Sequence, residues 1–169
     1  MLRCVYADLD SVLLGRGGSF LHDADGRFTL LGARALEACA RAEAEVVPWS
    51  DRAATDVAAD ATRLGQRTWI AAGSLGLDGD SEPVADRAEA VARHLRARAC
   101  ATGDAIAVGD ALDLATVVGT LWLPAEVAER DPLLRLEERF RIAESDAGPA
   151  LYAAVVTSLA EARGRSSSA

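Results

Sequence analysis

Short apolar runs alternate along the chain with longer stretches whose apolar residues recur at helical spacing. Strand-type runs are read at Arg3 to Ala7, Glu45 to Trp49, Thr68 to Ala72, Ala105 to Val108, Thr120 to Leu123 and Arg139 to Ala143. Between them, Ala33 to Ala42, Ala53 to Leu64, Arg87 to Arg98 and Leu133 to Glu138 carry the spacing of an amphipathic helix, and Gly148 to Ala162 forms a terminal one. Strands that alternate with helices pair in parallel through right-handed crossovers, so the pattern predicts a three-layer, Rossmann-like α/β domain with a mainly parallel sheet. Its ligand site is expected at the carboxyl ends of the strands. Residues 1–163 read as one domain, and the Gly- and Ser-rich tail, 164–169, reads as disordered.

Two connections depart from the usual lengths. Ser11 to Leu31 is too long for a βα connection of about two to six residues. Gly15, Gly17 and Gly18 before Phe20, and Asp25-Gly26 before Arg27-Phe28-Thr29, predict a small hairpin flap over the strand ends. After the third strand, only the segment from Gly73 to Pro83 precedes the next helix, which leaves no space for an inserted domain.

At 169 residues and 50% hydrophobic, the chain is long enough for one sizeable core. Its apolar runs are far shorter than the roughly 18 to 20 residues of a membrane helix, and its first residues enter a strand with no export signal, so a cytoplasmic protein away from membranes is expected. Cys4, Cys39 and Cys100 are widely spaced and read as buried thiols. The net charge of −8 argues against a nucleic-acid surface. All 18 basic residues are arginine.

Polar groups then gather where the strands end. The first strand runs into Asp8-Leu9-Asp10-Ser11-Val12, and in an extended chain two carboxylates two residues apart aim at the same space. The second ends in Ser50-Asp51-Arg52, and the fourth in Gly109-Asp110, followed by Asp113. Taken singly, each has a plain structural reading: an Asp after a strand as a turn former, Ser50 as a helix cap, Asp113 as a first-turn acid. Three such clusters after parallel strands converge on one edge, and so acidic a site calls for a divalent cation with oxygen ligands, Mg²⁺ above all. His22 in the flap and His94 in its helix read as solvent-facing, Trp49 as a pocket wall, and Trp69 and Trp122 as core. Gly15-Arg16-Gly17-Gly18 lacks the lysine of a nucleotide-binding phosphate loop.

These residues resemble the motifs of the haloacid dehalogenase (HAD) superfamily. Asp8-Leu9-Asp10-Ser11-Val12 matches its DxDxT or DxDxV opening, Ser50-Asp51-Arg52 its strand ending in SGR or TGR, and Arg87-Ala88-Glu89-Ala90-Val91 the texture of KGxAV. Gly109-Asp110-Ala111-Leu112-Asp113 matches GDSxxD or GDxxND in part. The resemblance spans Arg3 to about Ala162 and is nearest the sugar-phosphate and mannosyl-3-phosphoglycerate phosphatases, here without their cap domain. It implies a HAD-like fold and Mg²⁺-dependent phosphate-ester hydrolysis. Asp8 would be the nucleophile that becomes an aspartyl phosphate, Asp10 the general acid and then base, Ser50 a donor to the phosphoryl oxygens, and Arg87 the cation. Asp8, the Asp10 carbonyl and Asp110 would hold the metal, with Asp113 a ligand through water.

The chain differs from the family pattern at three points. Arginine replaces the usual lysine, Asp51 replaces glycine beside Ser50, and Asp110 and Asp113 stand three residues apart instead of four. The alternative reading is therefore a weak or inactive HAD-like protein that serves as a binding or assembly subunit. A site without a cap suits a phosphorylated small molecule covered by a second copy of the chain, in a homo-oligomer, or a phosphate carried on a macromolecule. A receiver domain shares the topology, but it needs an Asp after the third strand, where this chain has Gly73-Ser74, and a lysine after the fifth.

Overall fold

In a computed structural model, residues 1–15, 18–23, 25–131, 133 and 137–167 are described. Eight strands form one sheet in the order β5-β4-β3-β2-β1-β6-β7-β8. They are β1 (Cys4–Asp8), β2 (Glu45–Trp49), β3 (Trp69–Ala71), β4 (Ser74–Leu77), β5 (Asp80–Pro83), β6 (Ala105–Val108), β7 (Thr120–Leu123) and β8 (Phe140–Ile142). Pairing is parallel from β3 through β8 across the centre, while β4 and β5 are an antiparallel addition at one edge.

The period of two along each strand builds the two faces. Val5 and Ala7 of β1 join Val46, Ile106 and Val108 in a core under α1 (Leu31–Arg41), α2 (Ala54–Arg63) and α5 (Ala147–Ser167). Cys4 and Tyr6 point the other way and meet Val47, Trp49, Ala107 and Leu121 under α3 (Arg87–Ala97) and the short α4 (Ala125–Ala128). Near-continuous burial of β1, β2 and β6 is what a parallel sheet covered on both faces requires. The expected three-layer α/β fold is therefore present, and no cap domain occurs among the described residues.

Several expectations change. The segment after β3 is a hairpin: β4 pairs with β5, and Gly76 lies so close beneath Trp69 that a Cβ there would sit 2.1 Å from the indole. Helix α5 continues through Gly164 to Ser167, so most of the tail read as disordered is helical. Half of the helix read at Leu133 to Glu138, residues 134–136, lies outside the described residues, as do Arg16 and Gly17 of the glycine-rich turn. The flap is a hairpin as expected, closed by a bridge between His22 and Phe28 and by Asp23 N–H donating to the Arg27 carbonyl at 2.9 Å. His94, read as solvent-facing, is 0% exposed. Among the described residues, no helix is long and apolar enough to cross a membrane.

Candidate active site

The chain leaves β1 by a π-helical turn, Leu9–Leu13, closed by Leu14 N–H donating to the Leu9 carbonyl at 2.9 Å. Such turns are rare and concentrate at functional sites. Here Leu9, Val12 and Leu13 are buried, which pins the turn, while Asp10 and Ser11 stay exposed. Asp8 and Asp10 thus share one space because the backbone coils between them, and the extended geometry expected from the sequence is not the cause.

The turn fixes Asp8 directly. Its Oδ1 accepts from the backbone N–H groups of Asp10, at 3.0 Å, and Ser11, at 3.1 Å. Burial raises the Asp8 pKa above its ordinary value and outweighs these stabilising hydrogen bonds. Asp10 is held from the next strand: Ser50 Oγ donates to its Oδ2 at 2.6 Å, and the Arg52 guanidinium lies 3.0 Å from its Oδ1. Gly109, after β6, has φ +122°, and a Cβ there would fall 2.6 Å from that of Asp8, so this position needs glycine on both counts.

Arg87 opens α3, behind an N-cap in which Asp86 accepts from Glu89 N–H at 2.8 Å. Its guanidinium stacks 4.7 Å over the Trp49 ring, donates to Asp113 Oδ2 at 2.8 Å and reaches the Asp110 carbonyl at 2.9 Å. Burial disfavours this cation, but Asp113 and the nearby Asp51 and Asp8 charges hold it protonated, with its pKa above the ordinary value.

A cleft of about 780 Å³ unites these groups. Asp8, Asp10, Ser50, Arg87 and Asp110 all line it, so the structure brings together five of the six residues singled out from sequence. Asp113 is the exception: it is tied to Arg87 and lines an adjoining 290 Å³ recess with Ala85 and Asp86. The sequence reading assigned no role to Arg52, Glu126, Ser145 or Asp146, which also line the main cleft. The signal was available, because Arg52 follows β2, Glu126 follows β7, and Ser145 and Asp146 follow β8.

The donor chemistry fits a hard divalent cation. Asp8 and Asp110 offer carboxylate oxygens in one cleft that Asp10 also lines, and Mg²⁺ commonly takes one or two carboxylates and completes its shell with water and substrate phosphate. Among the described residues, no group of three His, Cys, Asp or Glu side chains is arranged to hold a metal unaided. Asp110 is 50% exposed and its Oδ2 lies 3.3 Å from Arg130, a weak pairing that a cation can displace.

Similarity to solved structures agrees with the fold. The chain is similar to the cobalt-bound deoxy-D-mannose-octulosonate 8-phosphate phosphatase of Haemophilus influenzae, with TM-score 0.64 and 18% identity over 98% of this chain and 91% of that one. It is similar to the 3-deoxy-D-manno-octulosonate 8-phosphate phosphatase of Moraxella catarrhalis in complex with magnesium, phosphate and the sugar acid, with TM-score 0.65 and 14% identity over 94% and 86%. A putative HAD superfamily (subfamily III A) hydrolase of Legionella pneumophila gives 0.63 and 17% over 96% and 86%. The HAD-like fold is thereby shown. These structures give no support to the mannosyl-3-phosphoglycerate branch in particular. No protein-family model and no curated protein matches the chain.

Proposed function

We propose that the protein is a phosphate-ester hydrolase that works through an aspartyl phosphate on Asp8. One observation carries this reading: two carboxylates, one capping a π-helical turn and one within it, enter one cleft, the first held by backbone amides and the second by Ser50 and Arg52. A pair fixed in this way separates a nucleophile from a proton carrier.

Asp8 Oδ1 is occupied by the two amides, so the other oxygen attacks phosphorus in line with the leaving group. Asp10 gives its proton to the departing oxygen, then takes one from the water that cleaves the aspartyl phosphate. Trp49 and Asp113 hold Arg87 at the cleft wall as a fixed positive charge for the phosphoryl oxygens. Asp8, Asp110 and the Asp10 carbonyl would hold Mg²⁺, which when bound neutralises phosphate charge so that two anions can meet. Ser50 takes a different part from the one its motif implies. Its hydroxyl hydrogen goes to Asp10, so it orients the acid.

The solved relatives named for a sugar-acid phosphate support a small phosphorylated substrate. The uncapped cleft equally suits a phosphate on a macromolecule, or a cover supplied by a second copy of the chain. Purified protein should hydrolyse p-nitrophenyl phosphate in a Mg²⁺-dependent manner, with turnover lost in Asp8→Asn and much reduced in Arg87→Ala. A folded protein that shows no more turnover than Asp8→Asn would point to a binding or assembly subunit instead.

A further inference from the structure

Arg52 lines the cleft, and its contacts reach beyond Asp10 into α2. Its Nη2 lies 3.0 Å from Asp10 Oδ1 and donates to Asp60 Oδ2 at 2.7 Å, and its Nε lies 3.4 Å from Ser50 Oγ. The backbone N–H of Arg52 also donates to Ser50 Oγ, at 3.2 Å. The Asp60 side chain is only 15% exposed, on the second turn of α2, whereas that of Asp10 is 50% exposed. The more buried carboxylate is therefore the anchor, and the exposed one is the group being held.

We propose that Asp60 and Arg52 are positioning residues that aim the Asp10 carboxyl at the leaving-group oxygen. This rests on the phosphatase reading and assigns part of its machinery to α2, outside the cleft. A half-exposed aspartate left alone samples several rotamers, and a misplacement of about 1 Å in a reacting group can cost about 100-fold in rate. Two donors reaching separate oxygens of Asp10, Ser50 from the end of β2 and Arg52 braced by α2, fix both the direction and the plane of the carboxyl. Arg52 suits this place because its Nε, turned to Ser50, sets the plane in which Nη2 meets both Asp10 and Asp60, a constraint that an ammonium lacks.

Dependence on the leaving group tests the role. Proton delivery matters little when nitrophenolate departs and a great deal when an alkoxide does. kcat and KM would be measured for p-nitrophenyl, phenyl and ethyl phosphate with wild type, Asp60→Asn, Arg52→Lys and Arg52→Gln. Relative to wild type, the variants should lose about 10- to 100-fold more in kcat/KM on ethyl phosphate than on p-nitrophenyl phosphate, with phenyl phosphate between, because kcat/KM reports steps only up to departure of the leaving group and excludes the later hydrolysis that all three esters share. KM should change little in Asp60→Asn, and Arg52→Lys should not restore the loss. Equal loss on all three esters, no loss on any, or a wild type as sensitive to the leaving group as the variants would overturn the positioning role. Absence of wild-type turnover on every ester would overturn the phosphatase reading itself. p-Nitrophenyl phosphate also reports that each variant is folded.

Discussion

The two ends of β1 and β2 hold acidic clusters built to opposite purposes. Where β2 begins, Glu45 takes hydrogen bonds from Thr68 at 2.5 Å, from His94 at 3.0 Å and from Arg98 at 2.8 and 3.1 Å. Tyr6 of β1 completes the set through His94 Nδ1 at 2.7 Å. Where the same strands end, Asp8 and Asp10 face a cleft lined by further acids. Burial presses on both Glu45 and Asp8, but the donors around Glu45 outweigh it and hold that carboxyl below the usual range, whereas those around Asp8 do not, and its pKa rises. A carboxylate that is fully answered stabilises the fold. One that is left short of donors keeps reactivity for a ligand at some cost to the fold.

Substitutions can break that contrast. The largest effect is expected from Asp8→Asn, which should lower kcat by about 10⁴-fold or more, while calorimetry should show an unchanged or higher Tm because a desolvated charge is gone. At the other end, Glu45→Ala should leave kcat nearly intact in the folded protein. It should cost about 2–4 kcal/mol in denaturant unfolding, since buried His94 loses its carboxylate partner and half-buried Arg98 is left with the Asp78 carboxylate. Gly109→Ala should damage both properties, lowering stability by about 1–3 kcal/mol through a strained φ and pushing Asp8 out of line.

The smallest effects lie in the pH dependence, and their signs are opposite. The Asp8 pKa is raised on folding, so its favourable contribution is complete below the ordinary value of 3.8 and is lost as pH rises through the folded pKa. The Tm advantage of Asp8→Asn over wild type should therefore widen between acid and neutral pH. The Glu45 pKa is lowered, so its contribution is present above the ordinary 4.5 and is lost as pH falls toward the folded pKa. The penalty of Glu45→Gln should accordingly shrink on acidification. Thermal melts of both variants across this range measure the two slopes, and slopes of the same sign would dissolve the contrast.

Central strands were legible in the sequence because burial on both faces of a parallel sheet leaves compact apolar runs, and β2, β6 and β7 begin and end where those runs do. The β4–β5 hairpin was not, since an edge strand such as Asp80–Pro83, exposed at every position, has no apolar face to display. His94 was misread because it was weighed alone. It shares a helix face with Ala90, Val91 and Leu95, all buried, and its polarity is satisfied by partners on β1 and β2 that are far away in sequence. The cleft followed the same division. Asp8, Asp10, Ser50, Arg87 and Asp110 sit at strand ends or a helix start and could be picked out. Asp113 was displaced by its ion pair with Arg87, and the bracing of Arg52 by Asp60 depends on how α2 packs.

The central claim, that Asp8 carries the phosphoryl group, is tested most directly by trapping. The protein would be mixed with p-nitrophenyl phosphate and Mg²⁺, quenched with borohydride, and its peptides mapped by mass spectrometry. Reduction of an acyl phosphate converts aspartate to homoserine, and the account predicts that change at position 8, dependent on substrate and absent when substrate is omitted. Steady turnover with Asp8 unmodified, or with the change at another carboxylate, would contradict it.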